Sequence, residues 1–271
     1  SETVGDSTTS IGWQSLYSQA SDSDNENTGN VGVGGNAGYY NVTGQNNTYL
    51  GYGAGIGASG QSNSSTTAVG QNALLAITTG DGNTAVGQAS GAAITSGALN
   101  TIVGAEAGND LTTGANNVLV GAYAMDAADG GETGNVAVGY SALGAMDEGA
   151  SGNANHNTAI GYQALQGGAA GDMTGNIAIG SYALDATSTN SHTGTIAIGY
   201  TALSALTSGA GNTAIGYSAL MTEDAGHYNT AVGYEALKLA NHNTGSNTAV
   251  GYQAGDSVTG YSNTLVGKDC G

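Results

Sequence analysis

Arginine, proline and phenylalanine are absent from this chain, and lysine occurs only as Lys238 and Lys268. With twenty Asp plus Glu the formal charge is -18. So few cations leave nothing to neutralise phosphates, which excludes nucleic acid as a partner and disfavours anionic membrane surfaces. The acidity fits solubility and resistance to side-by-side association of a repetitive β surface; a sharper alternative is divalent-cation binding by loops such as Asp22-Ser23-Asp24-Asn25-Glu26. The single cysteine, Cys270, cannot form an intrachain disulfide. No stretch approaches the roughly 20 consecutive apolar residues of a membrane span, so membrane insertion is not expected. Neither a signal peptide nor an initiator Met precedes Ser1, as expected for a processed or excised segment. The apolar fraction, 39%, is mostly Ala, Val, Ile and Leu, too little large side-chain volume for a thick globular core.

What is present is glycine, 49 residues in 271, and a nine-residue phrase, plainest as Asn157-Thr158-Ala159-Ile160-Gly161-Tyr162-Gln163-Ala164-Leu165. It returns fifteen times, on Gly12, Gly34, Gly51, Gly70, Gly87, Gly104, Gly121, Gly139, Gly161, Gly180, Gly199, Gly216, Gly233, Gly251 and Gly267. The spacing runs from 16 to 22 residues, most often 17. A phrase of fixed length with variable connections predicts an all-β solenoid whose insertions bulge as loops. Fifteen coils at roughly 4.8 Å each span about 70 Å. Residues 1–29 read as a first coil with an acidic loop, and 30–271 as one elongated repeat array.

The residue before the glycine is Val or Ile in fourteen copies and Leu50 in the other. Two before it stands Ala in nine, including Ala68, Ala85, Ala159, Ala214 and Ala249. Alternation along a strand sends these columns to opposite faces. The expectation is that the Val/Ile column fills the coil interior, while the Ala column lets another backbone approach and so argues for an oligomer. The alternative is that Ala tolerates a tight spot within one chain. Four before the glycine is Asn in twelve copies, among them Asn30, Asn83, Asn135, Asn157, Asn212 and Asn263, which predicts a ladder of amides joining coils. Three after it is Ala in twelve copies, a column that Cys270 shares, so Cys270 is expected as a small buried residue. Interchain disulfide formation or attachment stays open for it.

Tyrosine follows the glycine at Tyr52, Tyr140, Tyr162, Tyr200, Tyr217, Tyr234 and Tyr252. The last six form a candidate binding stripe whose flat faces would hold sugars or a partner fibre; the alternative is rings that only cover the edge of the roll. The four histidines, His156, His192, His227 and His242, lie in connecting segments at different offsets, as surface loop residues would. A threefold axis that gathers three copies of one of them round an ion stays open. Gly55-Ile56-Gly57-Ala58-Ser59-Gly60 matches a dinucleotide pattern without its strand–helix context. Asp147-Glu148 and Glu223-Asp224 are paired carboxylates whose adjacent side chains would point to opposite faces. Asn41-Val42-Thr43, Asn46-Asn47-Thr48 and Asn63-Ser64-Ser65 match the glycosylation sequon. No catalytic, cofactor or metal residue is assigned.

The phrase Asn-Thr-Ala-Ile-Gly-Tyr-x-Ala resembles the repeat of YadA-like head domains in trimeric autotransporter adhesins, and head-like repeats of some bacteriophage tail fibres. The likeness covers the chain from Thr8 to Gly271. It implies a left-handed parallel β-roll, three rolls about a threefold axis, and a non-enzymatic extracellular or virion role in display and attachment, with a host receptor or glycan as target. The repeat here is longer than the family's usual one, which implies larger loops. The pattern stops within a repeat and begins near Thr3-Val4-Gly5, as expected for a segment cut from a longer parent or for open ends that stack on other subunits. End-to-end filament growth is the competing function. Ice binding by Thr158, Thr213, Thr230 and Thr248 is a third, which the inward orientation expected for that column argues against.

Overall fold

The three residues before each anchoring glycine form a strand in all fifteen copies. The computed structural model describes residues 7–20, 28–128, 130–145, 154–167, 172–186, 192–241 and 245–271. The acidic loop 22–26, Thr3-Val4-Gly5, Asp147-Glu148 and His242 lie outside them. No helix occurs among the described residues, and the strands pair in parallel as a β-solenoid.

The chain divides into two compact units, Ser1–Thr133 and Gly134–Gly271. In the first, β1 (Thr9–Ile11), β2 (Val31–Val33), β3 (Thr48–Leu50), β4 (Thr67–Val69), β5 (Thr84–Val86), β6 (Thr101–Val103) and β7 (Val118–Val120) stack in sequence order. In the second, β8 (Val136–Val138), β10 (Thr158–Ile160), β12 (Ile177–Ile179), β14 (Ile196–Ile198), β15 (Thr213–Ile215), β16 (Thr230–Val232), β17 (Thr248–Val250) and β18 (Thr264–Val266) do the same. Three short strands, β9 (Ala154–Asn155), β11 (Met173–Thr174) and β13 (His192–Thr193), form a small second sheet there. Register is held residue for residue: Thr213 faces Thr230, Ala214 faces Ala231, and Ile215 faces Val232.

The backbone repeats as strictly as the sequence. The anchoring glycine has a φ between +129° and +146° in every copy. Gly161 shows why no other residue serves: at φ +138°, an added Cβ would lie 2.6 Å from the carbonyl carbon of Gly180 on the next coil. The residues five before, two after and four after the glycine also have positive φ throughout. The last of these is Leu in eight copies, from Leu16 to Leu237, with φ between 46° and 55°. A left-handed Leu costs about 1–2 kcal/mol, but burying its side chain returns about 1.5–3 kcal/mol, so packing wins.

The orientation expected for the strand columns is reversed. Ala68, Ala85, Ala159, Ala214 and Ala249 are fully buried within the chain itself, whereas Val86, Ile160, Ile215 and Val250 stand on the outer face. The interior is thin, and in most coils only one of the two inward positions is large. Each strand Ala lies in the same core as the buried Ala and Leu after the turn, such as Ala164 and Leu165. Where the strand position is large, as at Tyr49, Ile102 and Leu265, the place of that Leu is taken by Gly55, Gly108 and Gly271. At Gly55 an added Cβ would run into the Tyr49 ring. In these coils volume is exchanged between the two positions, whereas Leu119 and Met125 are both large and Gly32 and Gly38 both small.

The Asn column lies inside the same coils. Asn30, Asn83, Asn135, Asn157 and Asn212 are buried completely. Asn157 Oδ1 accepts the Asn176 N–H at 3.0 Å, and its Nδ2 donates to the Met173 carbonyl at 2.6 Å and to Asn135 Oδ1 at 3.2 Å. Asn83 repeats the scheme with the Asn100 N–H at 3.0 Å and the Gly97 carbonyl at 2.7 Å. Asn30 and Asn212 do the same towards Asn47 and Asn229, each at 2.8 Å. Asn263, at the last strand, donates to Asn247 Oδ1 at 3.0 Å. Each of these amides from Asn30 to Asn212 thus ties its coil to the next through that coil's strand backbone and loop backbone.

Candidate functional site

With the Ala column inside, each strand presents two outward side chains, the one before the glycine and the one three before it. The first column is β-branched apart from Leu50 and the second is Thr, Val or Ile, so neither outward strand column carries charge. Ile160 is 38% exposed, Ile215 37% and Val250 39%. Thr158, Thr213, Thr230 and Thr248 lie beside them at intermediate burial. This orientation removes the objection to a threonine face that the sequence raised.

The tyrosine stripe lies wholly in the second unit and is a stack. Ring centroids of Tyr140 and Tyr162 are 5.3 Å apart at 10°, those of Tyr200 and Tyr217 5.4 Å at 15°. Tyr217–Tyr234 and Tyr234–Tyr252 follow at 5.1 and 5.3 Å, with interplanar angles of 8° and 6°. Tyr182 bridges the gap between the two groups, meeting Tyr162 and Tyr200 edge to face at 5.4 and 6.1 Å. The sequence alignment missed it because Tyr182 sits two residues after its glycine, behind Ser181, and the phrase places tyrosine one after. Lys268 Nζ lies 5.5 Å from the Tyr252 ring centroid and continues the column. Within each stacked pair one ring face lies against its neighbour, while the six rings of the stripe remain 44–47% exposed. Tyr52 lies in the first unit and is exposed.

Comparison with protein-family models, curated proteins and solved structures finds no match.

The other candidates resolve into scaffold. His192 is fully buried in β13, not a surface loop residue. It faces Met173 in the small sheet and shares a core column with it and Ala154. Its Nδ1 lies 3.3 Å from the Gly209 carbonyl, Nε2 has no hydrogen-bond partner, and burial lowers its pKa. His156 and His227 are exposed, and His227 Nδ1 accepts the Ala210 N–H at 3.0 Å. Glu223 is buried, and its carboxylate accepts the N–H groups of Gly226 at 2.7 Å and Ala225 at 3.3 Å. It braces a loop, which leaves Glu223-Asp224 unsuited to paired acid and base work. Among the described residues no cluster of three or more His, Cys, Asp or Glu forms a metal site. Gly55–Gly60 leads into no helix.

Cys270 is half-buried, less than expected, with its S–H directed at the Gly267 carbonyl 3.1 Å away. Asn41 and Asn63 of the sequons are buried, so only Asn46 is exposed. No helix of the described residues is long and apolar enough to cross a membrane.

Proposed function

We propose that this chain is a non-enzymatic display module of an extracellular or virion fibre, an adhesin head that assembles as a homotrimer through the outward Val/Ile face. One observation carries the reading: a continuous, uncharged column, Val or Ile in every coil but that of Leu50, stands half-exposed or exposed on each unit's main sheet. Such a face is an association hazard unless covered. Covering each half-exposed Val or Ile adds about 1 kcal/mol; summed over a unit's strands, that is comparable with the roughly 4–15 kcal/mol lost on association. The outward column, and not the buried alanines, is thus the face that would meet another chain. Loops and the tyrosine edge remain outside for a receptor or glycan. Mass in solution with electron micrographs tests this: discrete rods of three chains support it, whereas open filaments of growing length would favour the end-to-end subunit.

A second reading claims the same face. The hydroxyls of Thr158, Thr213, Thr230 and Thr248 make no hydrogen bond among the described residues, and strand register sets Thr213, Thr230 and Thr248 at a regular spacing of about 4.8 Å, with Ile177 and Ile196 between Thr158 and Thr213. A lattice of hydroxyls beside methyl groups suits ordered water or ice. Trimerisation would bury it, so thermal hysteresis from a monomer supports this reading, and its absence removes it.

A further inference from the structure

We propose that the tyrosine column of the second unit is an oxidative cross-linking site, at which oxidants of the peroxidase and peroxide class join tyrosines of successive coils as dityrosine. Four ring pairs are stacked within 5.1–5.4 Å and 15° of parallel. Strand register holds both members of each pair at the same place on neighbouring coils, as Ile215 facing Val232 does for Tyr217 and Tyr234. Their ortho carbons therefore lie beside one another, and rotation about the side-chain torsions brings them to bonding distance. The rings are accessible: Tyr162 is 44% exposed and Tyr252 46%.

The chemistry balances. Each phenol gives one electron and one proton to the oxidant and becomes a phenoxyl radical. Two radicals form one carbon–carbon bond between ortho carbons, and the two displaced ring protons return to the phenolic oxygens through water. Per link, one hydrogen peroxide is reduced to two waters and the protein loses two hydrogen atoms. Tyr182, edge to face with both neighbours, lacks the parallel approach and interrupts the series. Tyr17 and Tyr39 of the first unit, stacked at 5.2 Å and 10°, meet the same condition. Tyr52 and Tyr261 are exposed without ring contact among the described residues and serve as internal controls. Each link closes a loop across adjacent coils and prevents their separation.

The test treats the full chain, at high dilution, with a haem peroxidase and hydrogen peroxide, followed by denaturing mass analysis and peptide mapping. Expected are single chains lighter by two hydrogens per link, blue dityrosine fluorescence, and links at 140–162, 200–217, 217–234, 234–252 and 17–39. Tyr217→Phe should abolish the 200–217 and 217–234 links and spare 140–162. The linked protein should also melt at a higher temperature. Dityrosine confined to joined chains, links formed mainly through Tyr52 or Tyr261, tyrosine loss without links, or an unchanged map in the Phe variant would each overturn the proposal.

Discussion

Tyr49 and Gly55 show how single residues settle the packing of a coil. Tyr49 is fully buried, its hydroxyl donates to Asn63 Oδ1 at 3.0 Å, and burial raises the pKa of its phenol. Tyr49→Ala should destabilise by about 3–5 kcal/mol, as removal of a buried ring does. Gly55→Leu alone should also destabilise, because its Cβ meets that ring. The double variant recreates the Ala-plus-Leu arrangement of Ala68 and Leu74 and should lose less than the two single losses added together. Denaturant melts of the four proteins measure the coupling. His192 sets a pH dependence. Its folded pKa lies below the unfolded value of about 6.5, so the unfolded chain binds the proton first. Stability is therefore full above that pH and falls as pH drops below it, by up to about 1.4 kcal/mol per unit. In His192→Leu the same melts should lose that slope between pH 6.5 and the lower folded value.

At the level of the strand and its turn, the Asn column joins neighbouring coils beside the strand ladder. Asn157→Ala leaves the Asn176 N–H and the Met173 carbonyl without partners in a buried place. At about 1–3 kcal/mol for each unmet group, a loss of about 2–6 kcal/mol is expected in a denaturant melt. Thr66 and Thr195 occupy the column in two coils, so Asn157→Thr should lose less. This column was legible in the sequence because one residue type recurred at one place. The sides of the strand were not. Alternation established that the Ala and Val/Ile columns oppose each other, but β-branching says only that a residue suits a strand. Which side is the core depended on the room left by Leu165 and its equivalents, whose left-handed φ no Leu advertises. Glycine at Gly38, Gly55, Gly91 and Gly108 in the same column was the available signal. Tyr182 was missed for a similar reason, since stacking depends on where a ring reaches and not on its offset from the glycine.

For the whole molecule, the exposed β-branched face and the charge of -18 act in opposite senses. The face favours association at one surface, and the charge keeps the remaining surface apart. Ile160→Asp places a carboxylate in the outer column without touching the Ala159 core layer. It should leave the fold intact by circular dichroism and weaken assembly at least tenfold. Leu165→Asp, in the core, should abolish folding. The most direct test of the account is sedimentation equilibrium of the full chain over a range of concentrations, beside the Ile160→Asp variant. A trimer held through the outer face gives a species of three times the 26.2 kDa chain mass that shifts towards the single chain in the variant. A folded chain that stays at 26.2 kDa at every concentration would contradict it.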